Sequence, residues 1–207
     1  MMKIFHALPG VARTAAVAAL AALAVAGCAH EYQPQASYSA QAVDVRQYSD
    51  DWFAAARAGR LDILQALIDA HFPLDAKTPD GYTALILSAY DEHPDALKLL
   101  LSAGADACAA DRRGNTALMG ALFKGETDIA TMLLDTHCAI DQVNNAGETA
   151  LSFAALFGRL DMLPLLVAHG ADPNHADARG TTALRMALNQ HNMLAADALR
   201  RVGATQR

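Results

Sequence analysis

The chain has 207 residues and is 53% apolar but only 6% aromatic, with a formal charge of −6. That length holds one domain or two small ones, and the composition describes a core of alanine and leucine rather than of rings. Mild acidity without any basic block excludes a nucleic-acid role, which needs a cationic stripe, and three widely separated cysteines suit neither a disulfide scaffold nor a zinc site.

The first element is an export signal. "MMKIFHALPGVAR" carries Lys3 and Arg13, and "TAAVAALAALAVA" follows as thirteen uncharged residues, 14–26. That run is too short to span a bilayer of ~30 Å and fits the apolar stretch of a signal peptide. Val25-Ala26-Gly27-Cys28 resembles the lipobox of bacterial lipoproteins, and the resemblance implies that Cys28 is acylated and becomes the mature N-terminus. Ala24-Val25-Ala26 also reads as a cleavage site, which would release a soluble protein beginning at Gly27. Similarity to enteric lipoproteins, with Ala29 where Asp would retain the protein in the inner membrane, implies an outer-membrane anchor. Removing residues 1–27 leaves 14 Lys+Arg against 22 Asp+Glu, a charge of −8. Residues 28–48 then read as a lipidated N-terminus and flexible tether. Pro34 and the Gln/Ser content argue against a helix there, and about twenty such residues reach roughly 25 Å.

From residue 49 to 207 the chain reads as one repeat array. Gly81, Gly114, Gly147 and Gly180 each follow the last by 33 residues and each opens a similar phrase, as in "GNTALMGALFKG" and "GETALSFAALFG". Such a period marks stacked supersecondary units. In residues 144–176, Gly147 sits in a tight turn and Asn144 can bond that turn's backbone. Thr149 caps a first helix that Gly158 ends; Asp161 caps a second, with Pro164 in its first turn and Gly170 closing it. Ala150, Leu151, Ala154 and Ala155 form one apolar face, and Leu163, Leu165 and Leu166 the other. Neither helix can bury its face alone, so units must stack. Asp62, Asp95, Asp128 and Asp161 recur at second-helix starts, where the helix dipole favours an anion. "DDWFAAARAGRLDILQALIDA" aligns as a first unit without a turn finger, Asp50 standing in the capping slot; Asp197, Arg200 and Arg201 give the last unit a polar outer face.

The phrases "DRRGNTALMGALFKG", "LLLSAGADACAAD" and "LLVAHGADPNHAD" resemble ankyrin repeats over about residues 50–205. The resemblance implies an all-α solenoid of about five helix-turn-helix units, caps included, with β-turn fingers. Two departures stand out. Ile86, Met119, Ser152 and Arg185 replace the family's histidine, so its Thr–His hydrogen bond is missing, and His71 and His137 replace the closing glycine, implying less regular loops.

No motif for nucleophilic, zinc-dependent or nucleotide chemistry is present, so no enzyme, cofactor or metal is expected. His71 and His137 lie two repeats apart, and His169 and His175 flank one loop as solvated side chains. Cys108 and Cys138 sit three positions out of register in adjacent units. With stacked units ~10 Å apart, both are expected to be free thiols.

What remains is surface. Ankyrin proteins bind partners through finger tips and the inner face of first helices, and the resemblance assigns those positions here to Tyr82, Arg112 and Arg113 and to Tyr90, Phe123, Lys124 and Phe157. The alternative is that Phe123 and Phe157 pack into the core. The expected function is therefore non-enzymatic protein binding by a monomer, tethered to the bilayer through Cys28 and facing the periplasm. Similarity to exported bacterial ankyrin proteins implies a partner in catalase-linked peroxide defence; an immunity protein neutralising a toxic enzyme is the second reading.

Overall fold

The computed structural model describes residues 44–206, so the expected export signal, Cys28 and most of the expected tether lie outside the described residues. The last tether residues differ from expectation: Val45–Tyr48 form a 3-10 turn, started by Asp44, whose Oδ1 accepts the Arg46 N–H at 3.1 Å.

Ten helices follow among the described residues: α1 (Ser49–Arg57), α2 (Leu61–Asp69), α3 (Ala84–Tyr90), α4 (Pro94–Ala103), α5 (Ala117–Lys124), α6 (Thr127–Leu134), α7 (Ala150–Leu156), α8 (Met162–Ala168), α9 (Ala183–Asn189) and α10 (Met193–Arg201). They form five antiparallel pairs, and first helices pack on first helices: α1 on α3, α3 on α5, α5 on α7, α7 on α9. This is the expected all-α solenoid.

The repeated threonine explains why each first helix begins where it does. Thr83, Thr116, Thr149 and Thr182 are extended N-caps whose hydroxyls accept the N–H of Ile86, Met119, Ser152 and Arg185. Those four residues hold the position of the family's histidine, so the backbone cap survives the loss of that ring. Ser152 adds its own hydroxyl, accepting the Thr149 N–H at 2.8 Å. At the second helices, Asp62, Asp95 and Asp128 occupy the first turn as expected. Asp161 holds the N-cap position but makes no side-chain cap bond, and Asp50 lies inside α1, whose N-cap is Tyr48. The helix there starts two residues earlier because the 3-10 turn feeds directly into it.

Alanine separates the first helices: Ala84, Ala89, Ala117, Ala121, Ala150 and Ala154 are buried, and their small side chains let backbones approach. Leu97, Leu100, Ile129, Leu163 and Leu166 fill the second layer, each contributing about 1.5–3 kcal/mol by burial. Leu165 does not join them. It is 42% exposed, and Met162 takes the core position, because 162, 163 and 166 share one helical face while 165 is turned away.

The fingers are β-turns zipped edge to edge. Gly114 N–H donates to Asp111 O, and Asp111 N–H to Asn115 O. Between units, Arg112, Asn145 and Ala178 donate their N–H groups to Asp80, Arg113 and Ala146 carbonyls at 2.8–3.0 Å. Asn144 plays its expected part, its Oδ1 accepting the Ala146 and Glu148 N–H groups at 2.9 Å. The cap units differ from each other. Trp52 is fully buried against Phe72, whereas the outer helix α10 pairs Asp197 with Arg200 yet leaves Met193 and Leu194 in solvent.

The cysteines correct a sequence expectation. Cys108 and Cys138 are joined in a disulfide, their Cα atoms 5.3 Å apart. The ~10 Å spacing of stacked units applies to residues in the same register. The loops run obliquely to the stack, and loop contacts between neighbouring units elsewhere join residues 31 apart, as in Asp75–Asp106 and Asp141–Asp172. A separation of 30 is therefore what brings the sulfurs together.

Candidate functional site

Three of the expected residues meet. Tyr90 ends α3, Phe123 lies in the last turn of α5, and Phe157 follows α7; Phe123 stands one 33-residue period after Tyr90, and Phe157, one residue beyond that register, still falls at the end of the next first helix. The Tyr90 and Phe123 rings stack with centroids 5.6 Å apart, and Phe123 meets Phe157 edge-on at 4.8 Å. Such contacts add about 0.5–1.5 kcal/mol beyond buried area. Tyr90 and Phe123 remain 37% and 39% exposed, while Phe157 is half-buried. The strip is thus a packed ladder with two open faces, neither wholly core nor wholly free.

Phe153 is a further member, one turn before Phe157 on α7 and 5.5 Å from its ring. Its i, i+4 spacing to Phe157 was the available signal. Between the rings and the fingers lies an open depression of about 200 Å³, lined by Tyr82, Ile86, Tyr90, Arg113, Phe123 and Phe157, with Asp111 and Asn115 on the finger side. Gly120 forms part of its floor, where a Cβ would sit 3.4 Å from the Tyr90 ring.

The cations are placed unequally. Arg113 lines the depression, and Lys124 stands 5.5 Å from the centre of the Tyr90 ring while pairing with Glu92 at 3.6 Å. Arg112 is exposed at the finger tip beyond the depression, its backbone committed to the neighbouring fingers. Neither Arg112 nor Arg113 makes an ion pair among the described residues. At the last finger, backbone N–H groups of Thr181 and Arg179, with the Arg179 guanidinium, hold the buried Asp177 carboxyl below the usual range, against the opposing effect of burial.

The side chains of the described residues gather no metal site of three or more His, Cys, Asp or Glu. His175 Nε2 lies 3.0 Å from Gly147 O and His169 Nδ1 2.8 Å from Leu165 O, so both rings are engaged in loop closure. No helix of the described residues is long and apolar enough to cross a membrane.

No curated protein matches the chain. A family model described as ankyrin repeats (3 copies) matches residues 52–144, and one described as ankyrin repeats (many copies) matches 133–187. Together they cover the array from Trp52 to Ala187, with the finger turns, threonine caps and paired helices just described, and the chain belongs to the ankyrin-repeat family.

Proposed function

We propose that this is a non-enzymatic scaffold that holds a protein partner on the ring-lined depression and is itself anchored in the bacterial cell envelope. Ankyrin repeats serve as protein-binding scaffolds, and the observation that carries the site is the Tyr90–Phe123–Phe157 ladder. The Tyr90 and Phe123 rings, exposed by more than a third and on successive units, lie beside Arg113, which makes no ion pair among the described residues. Aromatic and arginine side chains concentrate binding energy at interfaces. The partner surface it suits carries apolar anchors and acidic groups, since Arg112 and Arg113 stand in an otherwise acidic domain.

Envelope placement rests on the "LAVAGC" end of the export signal, with Cys28 as the acylated residue, and the Cys108–Cys138 disulfide supports it because such bonds persist in oxidising compartments. The protein then faces the periplasm as a monomer, from the outer membrane, without cofactor, metal or nucleic acid. A peroxide-defence partner is the first to be sought; a toxic enzyme neutralised in the envelope is the second reading. Affinity capture from envelope extracts with the mature Cys28→Ser protein tests the scaffold. One stoichiometric partner is expected, and an empty eluate would count against it. Deletion that sensitises cells to a toxin, with no effect on peroxide survival, would favour the immunity reading.

A further inference from the structure

At four of the five unit ends the chain closes in the same way, and the exception is where the cysteines lie. Units 1, 2, 4 and 5 close their second helix with a positive-φ residue, namely His71, Gly104, Gly170 and Gly203. The next residue then donates its N–H back to the helix: Phe72 to Leu67 O, Ala105 to Leu100 O, Ala171 to Leu166 O and Ala204 to Leu199 O, all at 2.9–3.0 Å. In unit 3 the corresponding residues are His137 and Cys138. His137 is not in the left-handed region, and among the described residues Cys138 makes no such bond.

A second tie fails at the same junction. Asp75, Asp141 and Asn174 occupy one register position, and each side chain accepts the backbone N–H of the next unit's loop, from Asp106, Asp172 and Thr205, at 2.8–3.1 Å. Between units 2 and 3 that position is Cys108, which has no carboxylate or amide oxygen to offer. Thus Cys108 stands where an acceptor would tie two loops, Cys138 stands where the helix would be closed, and the two are bonded to each other.

We propose that the Cys108–Cys138 disulfide replaces both missing ties, making the junction between units 2 and 3 a redox-controlled joint. Oxidised, the solenoid is continuous; reduced, it opens there first. A dithiol reductant acts by thiolate attack on one Sγ, which releases the other cysteine as a thiolate. Its second thiolate resolves the mixed disulfide, leaving two protein thiols and an oxidised reductant. Both cysteines are half-buried, so attack needs only local opening of the loop. The Tyr90–Phe123 stack spans the same junction, so, resting on the reading of the ring ladder as the docking face, the binding surface is whole only in the oxidised protein.

The test compares the mature protein, oxidised and dithiol-reduced, with the triple variant Cys108→Asp, His137→Gly, Cys138→Ala, which restores both ties in the form the other units use. Reduction is expected to lower the melting temperature of the wild type by about 10 °C, given a closed loop of 30 residues. Amide exchange should rise many-fold in 135–142 and 104–110 before the rest of the array. The triple variant should melt above the reduced wild type and ignore the reductant. Free thiols in protein purified without reductant would overturn the proposal, as would unchanged melting on reduction or a triple variant as labile as the reduced chain. None of these readouts needs a partner, so they stand apart from whether the ladder binds one.

Discussion

Replacing Gly114 by valine probes the finger zipper where one turn rests on the backbone of the next. Gly114 has φ +81°, a region that a β-branched residue enters only with strain of about 1–3 kcal/mol. A Cβ there would stand 2.9 Å from both Asn144 Cα and Asn145 N, which are backbone atoms of the next finger and cannot swing aside. Relief requires the fingers to part, and the bond at risk is Asn145 N–H to Arg113 O at 2.8 Å, worth roughly 1 kcal/mol. The sum is about 3 kcal/mol. Gly158→Ala is the control: φ is +72°, but nothing lies within 4 Å of its Cβ. Its cost is therefore the left-handed penalty of roughly 1 kcal/mol, part of it offset by a stiffer unfolded chain. Urea unfolding followed by helical circular dichroism should show Gly114→Val losing about 2 kcal/mol more than Gly158→Ala. Equal losses would mean that finger contact contributes little and that only local φ matters.

Asp177 makes the last finger acid-sensitive. Its carboxyl is held below the ordinary range by the Thr181 N–H and by Arg179, so its contribution is present above the unfolded carboxylate range and is lost as pH falls through the depressed folded value. Asp177→Asn, the residue that unit 4 uses at this position as Asn144, should keep the turn and flatten that acid limb in a melting-temperature series from pH 6 to 2. For the anchor, wild-type protein should partition with membranes and Cys28→Ser should not, because an acylated terminus buries many methylenes at ~0.8 kcal/mol each. Wild type wholly in the soluble periplasm would favour cleavage after Ala26.

The helical scaffold was legible in the sequence because each of its signals is local. Gly81 to Gly180 at one period, and a threonine two residues after each, specify turns and caps by contacts within four residues. Leu165 was misplaced because counting leucines ignores which helical face each one takes; Met162, less apolar by type, lies on the buried face. The disulfide was hidden for a different reason. A stacking distance between helices says nothing of loops that cross the stack obliquely, and only comparing Cys108 with Asp75, Asp141 and Asn174 shows that its register position is one that ties units together. In the site, the pairing of Tyr90 with Phe123 follows from the period, with Phe157 one residue out of register, but the fractional exposure of Phe123 and Phe157 depends on how far α5 and α7 splay, which no single unit encodes. Arg159, which caps α5 from the next unit through Leu122 O and Phe123 O, was equally invisible.

The central claim is that the ring ladder is a binding surface and not a piece of core. The measurement is partner capture by the mature Phe123→Ser, Phe157→Ser protein, run beside its melting temperature and helical signal. Phe123 is 39% exposed and neither ring belongs to the buried cluster, so the variant should fold, with melting lowered by only a few degrees for the lost ring contacts. Removing a true hot spot costs ~2 kcal/mol or more per ring, so capture should fall at least thirtyfold. A variant that unfolds would place the rings in the core, and one that folds and binds as wild type would move the partner off this face altogether.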